Sequence, residues 1–143
     1  MTDDVWKDIE DLLDTFVKVP GVGLAAPQIN IMRRIVIVDV EERRKNPLIL
    51  INPILGKPLG KVAIWETCLS FPQLEVRVPR AKRVTVNAIN LEGDHITFEA
   101  ERLLSVVIQH EVDHLNGRIL LDYLPSQGRD EWISQMMSGR RKL

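Results

Sequence analysis

Two histidines one helical turn apart, with a glutamate between them, constrain this chain more than any other feature. They lie in the run Gln109-His110-Glu111-Val112-Asp113-His114-Leu115-Asn116-Gly117. In the H-E-x-x-H pattern both imidazoles point the same way from a helix, with their Cβ atoms about 6 Å apart. His110 and His114 can therefore reach one ion at roughly 2.1 Å. Glu111 sits about 100° further round the helix, where it can take a proton from water without ligating the metal. The ordinary alternative is a histidine packed and hydrogen-bonded on an apolar helix face. The chain has only three histidines, and two of them spaced like this around a glutamate favour the metal helix. Leu103, Leu104, Val106, Val107, Ile108, Val112 and Leu115 supply the apolar positions of a helix over 100–115, and Gly117 suits its stop.

The 143 residues predict a single domain spanning 1–143, large enough to bury a core without staples. An apolar content of 45% and a charged content of 27% are those of a soluble globular protein. A net charge of −1 argues against a nucleic-acid or acidic-membrane partner. The closing Arg140-Arg141-Lys142 reads as a solvated tail. No apolar run approaches the roughly 20 residues that span a bilayer, and the acidic Met-Thr-Asp-Asp start is not a signal peptide. A single cysteine excludes an internal disulfide and points to a reducing compartment, the cytoplasm.

Asp3 to Val17 reads as an amphipathic helix, with Val5, Ile9, Leu12, Leu13, Phe16 and Val17 buried and Thr2 or Asp3 as its cap. Pro20 ends it. The following Gly21-Val22-Gly23-Leu24-Ala25-Ala26-Pro27-Gln28 matches the loose dinucleotide fingerprint G-x-G-x-x-A, but the context is wrong. That fingerprint follows a strand and opens a helix, whereas here a helix precedes and Pro27 would fall inside the next one. The glycines instead suggest a backbone that something approaches closely, and Gln28 offers an amide donor. Arg34 to Val40 and Leu48 to Asn52 read as strands around a solvated Glu41-to-Pro47 turn. Lys57 to Gly60 reads as a loop before a short strand at Val62 to Trp65. Glu75 to Val78, Lys82 to Asn90 and His95 to Ala100 alternate like strands, the last two joined by the turn Glu92-Gly93-Asp94. His95 is expected to be exposed, a weak metal candidate. Ile119 to Tyr123 leads into a final helix from about Arg129 to Met137. Hairpin-linked strands flanked by helices predict an α+β fold, mostly antiparallel sheets packed around the central metal-binding helix.

H-E-x-x-H supplies two ligands, and the third decides the chemistry. The metzincin pattern needs His or Asp at position 120, which is Leu120. A thermolysin-like downstream glutamate could only be Glu131, in a surface-like Arg-Asp-Glu run. Cys68 remains, and with His110 and His114 it would leave a fourth position open, the mark of a catalytic site. Alone, a free cysteine is more often a small buried hydrophobe.

Three motifs in order then carry a family resemblance. Gly21 to Gln28 matches G-x-G-L-A-A-x-Q, Glu66-Thr67-Cys68-Leu69-Ser70 resembles E-G-C-L-S, and Gln109 to Gly117 fits Q-H-E-x-D-H-L-x-G. With Val78-Pro79-Arg80 these cover the chain from about residue 9 to 125, and together they resemble peptide deformylase, most closely the common bacterial form. The resemblance implies removal of formate from the N-terminal formyl-methionine of nascent proteins. It implies one divalent ion, natively iron(II), with zinc, nickel or cobalt accepted, held by Cys68, His110 and His114. Glu111 would be general base and then general acid, while Gln28 and the backbone N–H of Leu69 would stabilise the oxyanion. Val22, Gly23, Val106 and Val107 are the candidate substrate-binding residues, the valines lining a pocket for methionine or, alternatively, forming core. Nascent formyl-peptides, met at the ribosome by a monomeric enzyme, are the implied partners.

The chain departs from the family at two points. Thr67 stands where the family has glycine, which would permit a positive φ or close substrate approach. The sequence also starts almost at the first helix, where family members carry a longer segment. Thr67 keeps two alternatives open, a non-catalytic metal-binding relative and, on the helix motif alone, an H-E-x-x-H metallopeptidase.

Overall fold

The run Ile35-Val36-Ile37-Val38 is buried on both faces, and the fold is built outward from it. In the computed structural model, which describes residues 1–41 and 45–140, it forms β2 (Ile35–Val38) of an antiparallel sheet. The strand order is β1 (Gly23–Ala25), β2, β3 (Leu48–Leu59), β6 (Arg83–Ile89), β7 (His95–Glu101). Successive side chains of a strand point to opposite faces, so Ile35 and Ile37 join Leu24, Ile49 and Ile51 on one side. There they meet Ile9, Leu12 and Phe16 of α1 (Asp3–Phe16). Val36 and Val38 join Ala25, Leu50, Val84 and Val86 on the other side, against Val107, Ile108 and Val112 of α2 (Arg102–Leu115). Burying the three α1 side chains contributes about 5–9 kcal/mol before entropy is set against it.

β4 (Val62–Cys68) and β5 (Phe71–Arg80) form a separate antiparallel ribbon. Its inner side chains Leu74, Val76 and Val78 pack, with Cys68, on Leu120 and Leu121 of a short 3-10 turn and on Trp132 of α3 (Ser126–Met137). The α+β class and the antiparallel pairing agree with the sequence reading.

Several boundaries differ, for physical reasons. Lys57 to Leu59 is not loop: β3 continues to Leu59, with Pro58 opposite Val84. Past Ile51 its only ladder neighbour among the described residues is β6, so this part of β3 has an open edge, where proline is tolerated. Two register irregularities, at Ile51/Ile54 and Leu55/Pro58, bend the strand. The Gly21–Gln28 loop contains β1 and a 3-10 turn at Ala26–Ile29 that accommodates Pro27 in its first positions. The strands at Val62 and Glu75 run longer than read, to Cys68 and from Phe71 to Arg80, because their pairing sustains them through polar residues. α2 starts two residues later, at Arg102, and α3 three earlier, at Ser126. Thr2 occupies the cap position of α1, but its side chain makes no capping bond. Residues 42–44 of the solvated turn and 141–143 of the basic tail lie outside the described residues.

Candidate metal centre

Cys68 ends β4, and strand periodicity puts Glu66 and Cys68 on the ribbon's buried side while Thr67 faces outward. α2 brings His110 and His114 opposite. Gln109 fixes the rotation of that helix. Its Oε1 accepts from the backbone N–H of Ala81 at 2.9 Å and its Nε2 donates to the Ala81 carbonyl at 3.0 Å, where Ser105 Oγ also donates. The Cys68 Sγ and His114 Nε2 lie 3.3 Å apart, as do the Nε2 atoms of His114 and His110. All three donor atoms are within 4.8 Å of one another.

This arrangement fits one small cation. Ligands at about 2.1–2.3 Å from a tetrahedral ion are separated by about 3.4–3.7 Å, close to what is found. The two Nε2 lone pairs cannot satisfy each other, so a proton or a cation belongs between them. His110 is already oriented for this: its Nδ1 lies 2.8 Å from Glu66 Oε2, which directs Nε2 to the cluster. Arg80 grips Glu66 through two bonds, Nε to Oε1 at 2.7 Å and Nη2 to Oε2 at 2.9 Å. Its Nη1 donates to Asp113 Oδ2 at 2.6 Å, and the Tyr123 hydroxyl donates to the same oxygen at 2.6 Å. Sequence reading assigned no role to Glu66, Arg80, Asp113 or Tyr123. The available signal was the two-residue spacing of Glu66 and Cys68 on one strand face.

Burial opposes charge throughout the cluster, and specific partners override it. The Cys68 thiol is desolvated, yet hydrogen bonds from His110 and His114 and the charge at His114 bring it down to about 6. Burial disfavours the His110 imidazolium, but bonds to Cys68 and Glu66 push it up to about 10. Burial likewise raises Glu66, while Arg80 and His110 prevail and hold its carboxyl below the usual range.

Glu111 differs. It is 4% exposed, and its Oε2 is buried with no hydrogen-bond partner among the described residues. Burial pushes its carboxyl up to about 7 against the pull of the two histidines. The carboxylate lies on the backbone of Gly23, where an added Cβ would stand 2.3 Å from Oε1. That close approach is what the glycine permits.

Gln28 is held with its amide aimed at the cluster. Its Oε1 accepts from the Ala25 N–H at 2.8 Å, and its Nε2 donates to Ser70 Oγ at 3.0 Å with Cys68 Sγ at 3.7 Å. Leu69 sits in the turn after β4, outside the β4–β5 ladder, whose last pair is Cys68 with Phe71. Val106 lines a cavity of about 450 Å³ together with Val62, Ile64 and Leu103. Val107 is instead part of the buried core, with Val22 packed against it. His95, exposed at the start of β7, is no part of the cluster. Thr67 has ordinary extended backbone; the left-handed residue of this hairpin is Gln73, φ 67°. The irregularity beside the site is carried by β5, not by the threonine. Nothing at Thr67 favours a non-catalytic protein.

An H-E-x-x-H helix facing a strand cysteine, beside a buried glutamate whose Oε2 has no partner among the described residues, is the arrangement of a mononuclear metal hydrolase. Comparison with known proteins narrows this class. Residues 1–130 match the polypeptide deformylase family, and the chain belongs to the peptide deformylase family. It is 43% identical over 126 residues to the peptide deformylase of Buchnera aphidicola, covering 88% of this chain and 73% of that protein. It is 46% identical to that of Hamiltonella defensa, covering 100% and 83% respectively. Its structure resembles the Legionella pneumophila peptide deformylase (TM-score 0.86, 32% identity, covering 99% of this chain and 86% of that one). It also resembles the Synechococcus elongatus peptide deformylase solved with actinonin (TM-score 0.84, 33% identity, covering 94% and 76%). Its activity is the metal-dependent removal of the formyl group from N-terminal formyl-methionine.

Proposed function

We propose that Cys68, His110 and His114 hold a single divalent ion, natively iron(II), with zinc, nickel or cobalt able to replace it. Thiolate and imidazole donors suit this group of metals. The carrying observation is the convergence of three donor atoms beside Glu111, whose Oε2 has no partner. When bound, the ion supplies Lewis acidity and brings water's pKa from about 15.7 toward 7. Glu111 takes the proton from the attacking water and returns it to the leaving amine nitrogen; a carboxyl raised by burial serves both transfers. Gln28 Nε2 and the Leu69 N–H donate to the formyl oxygen as it becomes negative, each worth about 3 kcal/mol, or some hundredfold in rate.

The rest of the substrate lies along β4, which among the described residues pairs only with β5 and so has a free edge. Val106, with Ile64 and Leu103, receives the methionine side chain. Val22 and Gly23 face the reacting end, and Val107 supports this wall from the core. The tightness that Gly23 and Glu111 impose excludes acyl groups larger than formyl. The substrates are nascent chains at the ribosome, the enzyme a cytoplasmic monomer; a single thiol that must stay reduced supports that compartment. No helix among the described residues is long and apolar enough to cross a membrane.

Formate release from formyl-Met-Ala-Ser by anaerobically iron-loaded protein tests this reading, with acetyl-Met-Ala-Ser as control. Release from the formyl peptide alone is expected. Glu111→Ala should lower it by about 10²–10⁴-fold with metal still near stoichiometric. Loss of metal with activity retained would overturn the roles assigned.

A further inference from the structure

Arg102 opens α2 with φ of 53°. In this left-handed region a long side chain such as arginine is strained where glycine is not. The helix itself gives no reason for an arginine: the Arg102 N–H donates to the Lys82 carbonyl at 3.1 Å, a bond glycine would make equally. The reason offered by the surroundings is the cavity of about 450 Å³, whose apolar wall is Val62, Ile64, Leu103 and Val106. Its other end carries Lys82 and Arg102, with Arg83 and Glu101 neutralising each other at 2.9 Å. Among the described residues Lys82 and Arg102 have no ion-pair partner. In a chain of net charge −1, Lys82, Arg83 and Arg102 against Glu101 leave this end of the cavity with a positive excess, which Glu99, 3.8 Å from Arg83, reduces without cancelling.

The cavity is also too large for methionine alone. At roughly 30 Å³ per heavy atom, the share of a liquid water, the four-atom side chain needs about 120 Å³. Its geometry says what fills the remainder. In the site reading the formyl end lies at Cys68, His110 and His114, and the cavity runs from Val106 and Ile64 to Val62, Lys82 and Arg102. A peptide that follows this cavity extends toward Val62, antiparallel to β4. Along a strand the first and third side chains share a face, roughly 6.6 Å apart. With the first against Val106 and Ile64, the third comes over Val62, Lys82 and Arg102, roughly 12 Å along α2 from His110.

Resting on the site reading above, we infer that Lys82 and Arg102 make this deformylase prefer formyl-peptides with an acidic side chain at the third residue. The test compares kcat/KM for formyl-Met-Ala-Glu, formyl-Met-Ala-Ser and formyl-Met-Ala-Lys at low and high ionic strength. The glutamate peptide should lead the lysine peptide by about threefold to tenfold at low salt and lose most of that lead at high salt. In the double variant R102G/K82Q the Glu-to-Lys ratio should fall to about one. The R102G protein should melt no lower than the parent, since glycine relieves the backbone, so the comparison does not depend on a damaged fold. Equal turnover of the charged peptides by the parent, or a preference that survives the double substitution, overturns the inference while leaving deformylation intact. Failure to hydrolyse even the serine peptide would instead overturn the site reading, and this inference with it.

Discussion

Glu111 carries the sharpest prediction at the scale of single residues. In the metal-free protein its carboxyl is raised by burial to about 7 from an ordinary 4.5. The folded state therefore binds this proton more tightly than the unfolded chain, and stability falls as pH rises from about 4.5 to 7, then levels off. Glutamine in its place cannot ionise. The Glu111→Gln protein should melt with the parent near pH 4 and gain on the order of 1–3 kcal/mol over it by pH 7.5, measured in thermal melts of chelator-treated protein. A difference independent of pH would show that Glu111 is not held against its charge. The residue type was legible in H-E-x-x-H; its complete burial was not, because that comes from Gly23 on a strand almost ninety residues away. Thr67 teaches the converse. Its mismatch with the family's glycine looked consequential in one dimension, yet the strand faces it outward with no positive φ.

At the scale of elements, the site depends on a contact between β1 and α2 that tolerates no side chain. Gly23→Ala places a Cβ 2.3 Å from Glu111 Oε1, so the strand or the carboxylate must shift. The expected outcome is a loss of kcat of at least about hundredfold, since misplacement on the 1 Å scale costs that much, with a modest fall in melting temperature. Unchanged kcat would mean that Glu111 has freedom to move. Alternation placed most strands, because one face or both are buried and the period of two survives in the sequence. It failed where pairing rather than burial sustains the element. β3 past Asn52 is interrupted by Pro53, Gly56 and Pro58 and is largely exposed, and the β4–β5 ribbon carries polar residues on its outer face; they are strands because a neighbour completes their hydrogen bonds.

At the scale of the whole molecule, the candidate donor set joins two parts with separate apolar cores. His110 and His114 belong to the sheet-and-α2 unit, Cys68 to the ribbon covered by Leu120, Leu121 and Trp132. An ion bound across that seam stabilises only the folded chain. Removing it with a chelator should lower stability by about 3–4 kcal/mol at metal concentrations 100–1,000 times Kd, read as a lower melting temperature that added metal restores; an unchanged melt would rule out a bound ion bridging the two parts. The family, the fold class and the candidate donors were legible in the residues alone. H-E-x-x-H places two candidate donors on one helix face through the 3.6-residue turn, and setting aside Leu120 and Glu131 leaves Cys68 as the candidate third. How these groups are held is a property of the folded chain. Arg80 bridging Glu66 and Asp113, the desolvation of Glu111, the core position of Val107 and the charged end of the cavity all arise from residues distant in sequence. No local periodicity records which distant segments come to share one low-dielectric space.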